Sequence, residues 1–255
     1  MPAEHTLRAY DQELDQLNNT IAQMGGLAEV QLANAIHAVV RRDPELGART
    51  VAGDEKVDAL EQEVQNLVVR LLALRQPMAR DLRNIVAALK VSSDLERIAD
   101  YAANVAKRAT ALSMTPVVQP LFTIPRMGAL AQTLIKDVLD AYVERDTEKA
   151  MQVWRRDEEL DEMYAGFFRE LLTYMMEDPR NITPCTHLLF IAKNIERIGD
   201  HATNIAETVH FLVEGGPFRE HRPKGDTSSF TVVSPSRGLE PKPGEAKAGE
   251  AKRGD

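Results

Sequence analysis

Apolar residues recur along this chain at helical spacing, and they do so in matched sets. Val57, Leu60, Val64, Val68 and Leu71 stand at offsets of 0, 3, 7, 11 and 14, and Leu160, Met163, Phe167, Leu171 and Tyr174 repeat those offsets. Leu95, Ile98, Ala102, Val105, Ala109 and Leu112 follow 0, 3, 7, 10, 14 and 17, as do Ile195, Ile198, Ala202, Ile205, Val209 and Leu212. Stripes of this kind are the buried seams of antiparallel helical bundles. The small side chains of Ala102 and Ala202 would let neighbouring helices approach closely. Proline, costly inside a helix and tolerated at its ends, supplies the punctuation at Pro44, Pro77, Pro116, Pro120, Pro125, Pro179 and Pro184. The stretches between are rich in Ala, Leu, Glu, Arg and Gln, which favour helix. The pattern predicts six helices, at about 5–42, 45–74, 79–113, 121–144, 148–177 and 183–213.

The second three helices repeat the first three. A shift of 103 lays Met24-Gly25-Gly26-Leu27-Ala28 on Met127-Gly128-Ala129-Leu130-Ala131, and Arg42-Asp43-Pro44-Glu45 on Arg145-Asp146-Thr147-Glu148. The same shift lays Asp54-Glu55-Lys56-Val57-Asp58 on Asp157-Glu158-Glu159-Leu160-Asp161. Past the second turn a shift of 100 takes over, and 8 of the 18 positions in 95–112 are identical in 195–212. A period of that size is too long for a solenoid unit and is that of a small domain. The expected fold is all-α: two tandem three-helix bundles over 5–113 and 121–214, with 215–255 a disordered tail.

Composition sharpens these boundaries. Of 14 glycines and 13 prolines in 255 residues, 7 and 5 fall after Glu214, so the body has too few for a many-turned β fold. The tail ends in the near-repeat Gly244-Glu245-Ala246-Lys247-Ala248-Gly249-Glu250-Ala251-Lys252 and has little apolar material to offset ordering entropy. Its one apolar patch is Ser229-Phe230-Thr231-Val232-Val233. Net charge is −8, divided into −10 for the body and +2 for the tail, which argues against a general phosphate-backbone binder of nucleic acid. A single cysteine, Cys185, excludes an intramolecular disulfide. The charged N-terminus has no signal-peptide core, and the longest apolar run, Leu188 to Ala192, is far short of a membrane span. The expected setting is the cytoplasm.

The acidic residues are placed as deliberately as the apolar ones. Glu96 and Asp100 sit one helical turn apart, nearly opposite the apolar seam, and Asn104 continues their column. Glu196, Asp200 and Asn204 reproduce it. The second helix of each copy carries Asp54 and Asp58, then Asp157 and Asp161, at the same spacing beside the apolar stripe. Like charges at i, i+4 destabilise a helix by roughly 0.2–0.5 kcal/mol per pair. Four matched pairs therefore point to a cation that offsets the repulsion, against the blander reading of a solvated acidic face with Arg97 and Arg197 as local partners. Carboxylates alone select hard or borderline ions: Mg, Ca, Mn, iron or zinc. A carboxylate-bridged metal-dependent helical enzyme or metal store is the rival from another class. Its buried di-iron form needs two Glu-x-x-His strings, and only Glu207-Thr208-Val209-His210 is present. His187, His201 and Cys185 read as ordinary helix or loop residues, although His201 beside Asp200 is within reach of a metal there. No Ser/His/Asp set, phosphate-binding glycine loop or Cys/His metal spacing occurs, so a non-enzyme is expected.

Two stretches carry a family resemblance. Arg80-Asp81-Leu82-Arg83-Asn84-Ile85-Val86-Ala87-Ala88-Leu89-Lys90, followed by Asp94-Leu95-Glu96-Arg97-Ile98-Ala99-Asp100-Tyr101-Ala102-Ala103-Asn104-Val105-Ala106, resembles the PhoU family. So does Asn194-Ile195-Glu196-Arg197-Ile198-Gly199-Asp200-His201-Ala202-Thr203-Asn204-Ile205-Ala206. The resemblance spans about residues 5–214. It implies two three-helix bundles, often paired as a homodimer, and E(D)-x-x-x-D motifs that can hold surface iron or zinc clusters. Glu96, Asp100, Glu196 and Asp200 match that motif, and Asp54, Asp58, Asp157 and Asp161 match its helix-two counterpart. Ala99 stands where the second copy has Gly199, a change not expected to disturb ligands. The resemblance further implies a cytoplasmic accessory of the phosphate ABC transporter and negative regulator of the phosphate-starvation response. Its implied partners are the transporter's ATPase and a PAS-containing sensor histidine kinase, with the membrane reached only through them.

Overall fold

A computed structural model describes residues 2–118, 122–216 and 218, with side chains from Tyr10 onward. The described residues form seven α-helices and no strand: α1 (Pro2–Arg41), α2 (Pro44–Ala52), α3 (Glu55–Arg75), α4 (Ala79–Ser113), α5 (Thr123–Glu144), α6 (Thr147–Glu177) and α7 (Ile182–Glu214). A 3-10 turn, Pro179–Asn181, precedes α7. Apart from Gly215, Gly216 and Phe218, the expected disordered tail lies outside the described residues.

The repeated Arg-Asp dipeptide builds the same connector in both copies. Arg42 and Arg145 take left-handed backbone, at φ 54° and 57°. The next residue then caps the following helix: Asp43 accepts the Glu45 and Leu46 amides, and Asp146 accepts that of Lys149. Each cap satisfies backbone donors that the first turn leaves without partners, and the carboxylate favours the positive helix end. The Arg42 guanidinium also donates to the carbonyls of Leu112 and Thr115, tying the α1–α2 corner to the end of α4.

One predicted helix is two. The span expected to run unbroken over 45–74 divides into α2 and α3 at Gly53 and Asp54. There the ladder shifts to bonds that reach back three residues, Asp54 N to Val51 O and Lys56 N to Gly53 O. Glycine is a poor helix former, and a Cβ on Gly47 would lie 2.9 Å from the Ala106 carbonyl, so α2 is drawn tightly onto α4. The second copy has Arg156 in place of Gly53, and α6 runs through.

The two copies pack across a pseudo-two-fold axis. Gly25 of α1 receives Leu139 of α5, and Gly128 of α5 receives Ile36 of α1; these four positions exchange under the repeat. In the α4–α7 contact, the repeat-equivalent residues Tyr101 and His201 meet each other, their rings 5.6 Å apart. Contacts from Lys90 to Phe211 and from Arg108 to Phe190 show that α4 and α7 cross antiparallel. One contiguous set of buried apolar residues, from Leu17 through Leu95 and Leu134 to Leu212, runs through both copies. The α3–α4 and α6–α7 turns therefore lie at opposite ends of the protein.

Candidate metal centre

The four carboxylate pairs converge two by two, and the two clusters differ. In the first copy, Asp54, just before α3, and Asp58 of α3 face Glu96 and Asp100 of α4 closely enough that Asp100 adds to the raised pKa of Asp54 and Asp58 to that of Glu96. Burial is the larger cause of the raised pKa of both Asp54 and Glu96; Gln31 opposes it at Asp54 and Arg97 at Glu96. Gln31 reaches in from α1, its Nε2 donating to Asp54 Oδ1 at 2.9 Å and to the Ala99 carbonyl at 3.2 Å. Arg97 lies 3.3 Å from Glu96 and 3.9 Å from Asp100. Asp58 is exposed and the other three half-buried, so this cluster opens to solvent.

The second cluster is closed. Asp157 and Asp161 of α6 and Glu196 of α7 are 1%, 2% and 4% exposed. The sequence placed the Glu96 and Glu196 columns nearly opposite their seams; Glu196 instead lies inside, because α6 covers that side of α7 as well. A solvated acidic face is thus excluded for these three residues. Lys193 supplies one cation, 2.8 Å from Glu196 Oε1, and rests over the Tyr164 ring. Glu196 Oε2 is buried and accepts no hydrogen bond among the described residues. Burial first, with Asp200 and Asp161 adding to it against Lys193, pushes the Glu196 carboxyl up to about 7.

Gly199 is what lets Asp157 in. A Cβ there would collide with Asp157 Oδ1 and stand 2.7 Å from Leu160 Cδ2. The first copy carries Ala99 at this position, and its helix-two aspartate is held by Gln31 instead of lying on the backbone of the facing helix. The alanine-for-glycine exchange, expected to be without consequence, thus accompanies a different seat for the first carboxylate of each cluster.

The remaining sequence candidates are engaged elsewhere. His201 Nδ1 lies 2.8 Å from Asp94 Oδ1, where Asn204 also donates, so this histidine joins the two bundles. Glu207 accepts the Trp154 indole N–H at 3.2 Å, and His210 packs edge-on against Phe218, so the lone Glu-x-x-His string has no partner set for a di-iron centre. His187 contacts Arg108, and Cys185 is buried. Sequence reasoning missed Gln31, Lys193, Gly199 and Glu61, which adds to the raised pKa of Glu96. Of these, Lys193 carried a signal, since it stands three residues before Glu196 on one helix face.

Chemically, the buried trio fits a hard or borderline cation. It offers carboxylate oxygen donors and, at Glu196 Oε2, a buried oxygen that accepts no hydrogen bond among the described residues. Among the described residues, no three His, Cys, Asp or Glu donors stand ready-grouped to hold an ion. The donor chemistry is present without a preassembled coordination shell.

Seven helices in two related halves, with an acidic cluster between the second and third arms of each half, define a duplicated helical-bundle protein. Comparison with known proteins names the family. The PhoU domain model matches residues 21–109 and 124–209, once in each half. The phosphate-specific transport system accessory protein PhoU homolog of Caulobacter vibrioides is 54% identical over 227 residues, covering 89% of this chain and 99% of that one. The Rhizobium meliloti homolog of the same description is 46% identical over 230 residues, covering 90% and 97%. Among solved structures, PhoU from Pseudomonas aeruginosa superposes with a TM-score of 0.79 at 37% identity, covering 81% of this chain and 100% of that one. This chain belongs to the PhoU family. No helix among the described residues is long and apolar enough to cross a membrane.

Proposed function

We propose that this protein regulates phosphate uptake as a non-catalytic adaptor between a phosphate ABC transporter's ATPase and a PAS-containing sensor histidine kinase. When phosphate is plentiful it would hold the kinase in its non-activating state and restrain transport, working on the cytoplasmic side, as a homodimer. The observation that carries this reading is similarity along almost the whole chain to relatives named phosphate-specific transport system accessory proteins. The long exposed helical faces suit docking, and differential affinity for two transporter states is all that passing on the signal requires. Deleting the gene is expected to raise phosphate-regulon expression in phosphate-rich medium; continued repression would sink the proposal.

The acidic clusters are read as sites for iron or zinc, with Mg, Mn or Ca as alternatives. Asp157, Asp161, Glu196 and Asp200 would hold an ion in the second copy, and Asp54, Asp58, Glu96 and Asp100 in the first. A bound ion would supply positive charge against the buried carboxylates and fix α6 against α7, and α3 against α4. Elemental analysis of the metal-replete protein is expected to show bound metal that falls in a Glu96→Ala/Asp100→Ala variant. Absence of metal from the wild-type protein, or unchanged content in the variant, would refute it.

A further inference from the structure

Two seams that the repeat lays on each other carry opposite charge. In the second copy the seam between α5 and α6 is bridged by its own side chains. Arg156 lies 3.3 Å from Asp137 and 3.8 Å from Glu159, and Lys149 lies 3.3 Å from both Asp140 and Glu144. The shift of 103 finds every one of these replaced in the first copy. Gly53 stands for Arg156 and Leu46 for Lys149, so both cations are gone. Asn34, His37, Arg41 and Lys56 stand for Asp137, Asp140, Glu144 and Glu159, so all four acids are gone as well. With histidine neutral, six side chains that sum to −2 become six that sum to +2, and Arg49 adds a further cation where the second copy has Gln152. The acids close by in the chain, Asp43, Glu45, Asp54, Glu55 and Asp58, all have acidic counterparts in the second copy and do not account for the difference.

Where the second copy has Arg156 and its partners, the first has an open cavity of about 320 Å³ between α1, α2 and the start of α3. That is the size of a small-ligand site. Leu27, Val30 and Leu46 give it apolar walls, and Asn34, Arg49 and Lys56 add polar groups. No residue lining it is acidic. Arg49 and Lys56 are exposed, and neither side chain has an ion-pair or hydrogen-bond partner among the described residues. Asp54, the carboxylate next to Gly53, is instead taken by Gln31 at 2.9 Å. Gly53 itself sits at φ −70°, a backbone that does not demand glycine, and its missing side chain leaves the cavity open.

We propose that this cavity binds a small organic anion: one carboxylate or phosphate group on a compact apolar body. The body would lie on Leu27, Val30 and Leu46, and the anionic group would meet Arg49 and Lys56 in charge-assisted bonds, with the Asn34 amide as a further donor. The second copy shows the same arrangement with the signs exchanged. There an apolar stem ending in a cation, Arg156, belongs to the chain and is held by carboxylates. Here the holders are cations and no residue of the chain at position 53 supplies the stem. The site is separate from the acidic clusters and does not rest on the adaptor reading.

Isothermal titration of the full chain with phenyl phosphate and with benzoate tests it. At least one of the two is expected to bind with a dissociation constant of about 1 mM or tighter, more weakly as salt rises, and the tighter names the anionic group. Benzyl alcohol, which has the body alone, and inorganic phosphate, which has the charge alone, should bind at least about tenfold more weakly. An Arg49→Gln/Lys56→Glu variant gives the first seam the charges of the second, and a Gly53→Arg/Asn34→Asp variant gives it the second copy's bridge. Each should weaken binding by about tenfold or more, with an unchanged melting temperature showing that the variant is folded. The first pair changes two exposed side chains, so it remains informative even if the second pair disturbs the α2–α3 corner. The proposal is overturned if neither anion binds the wild-type chain, or if the charge variant binds them as the wild type does. It is also overturned if benzyl alcohol or inorganic phosphate binds as tightly as the organic anions.

Discussion

A Glu196→Gln variant should lose a decline in stability that the wild-type chain shows between about pH 4.5 and 7. The Glu196 carboxyl, ordinarily at 4.5, is raised to about 7 in the fold, first by burial and then by Asp200 and Asp161. The folded state therefore holds its proton more tightly than the unfolded chain does. Below pH 4.5 the group is neutral in both states and costs nothing. As pH rises, the unfolded chain gives up its proton first, and stability falls until the folded group ionises as well. Above that point the penalty is complete, about 3 kcal/mol for a shift of this size. Glutamine keeps the shape and cannot ionise, so the variant escapes the penalty. Its amide oxygen can still accept from Lys193, and what it gives up is the ion pair, with a lysine whose side chain is 32% exposed and can turn to water. Urea unfolding followed by circular dichroism, in chelator and across that pH window, measures the difference between the two proteins. The variant should gain on the wild type by about 2–3 kcal/mol from the acid to the neutral end. Parallel profiles, or a wild type that gains on the variant as pH rises, would refute the account of Glu196 as a carboxylate buried against like charge.

Other substitutions test the packing that creates the clusters. Gly199→Ala should destabilise by about 1–3 kcal/mol in urea unfolding, because the new methyl collides with the Asp157 carboxylate and presses on Leu160. An unchanged midpoint would mean that Asp157 does not lie on this backbone. Asp146→Ala should cost about 1 kcal/mol through loss of the cap on Lys149 N, measured the same way; no loss would show that the α5–α6 connector holds without its cap.

The helical count failed at one place, where a long-range contact decides. No proline interrupts 45–74, and the stripe that begins at Val57, just after Gly53 and Asp54, reports which face is buried without reporting where the helix starts. The break between α2 and α3 goes with the close seat of Gly47 on α4, a contact between residues 59 apart, 47 and 106. The carboxylate pairs were visible because i, i+4 spacing is a property of one helix. Their burial was not, since the same four-residue pattern is half-buried throughout on α4 while its glutamate, Glu196, is enclosed on α7. Gln31 could not have been assigned to the first cluster from its position, as it arrives from a third helix.

Periodicity and the internal repeat determined by themselves that the chain is helical, that it is built twice, and that each copy carries two acidic pairs. These are short-range properties, written within one or two turns of helix or between two copies of one pattern. The tertiary structure decided that the copies meet through Gly25 with Leu139 and Gly128 with Ile36, and that Tyr101 faces its own counterpart, His201. It also decided which acidic cluster is closed. The charge state of a carboxylate depends on how much water and which other charges surround it in three dimensions, and neighbours in sequence supply only part of that environment.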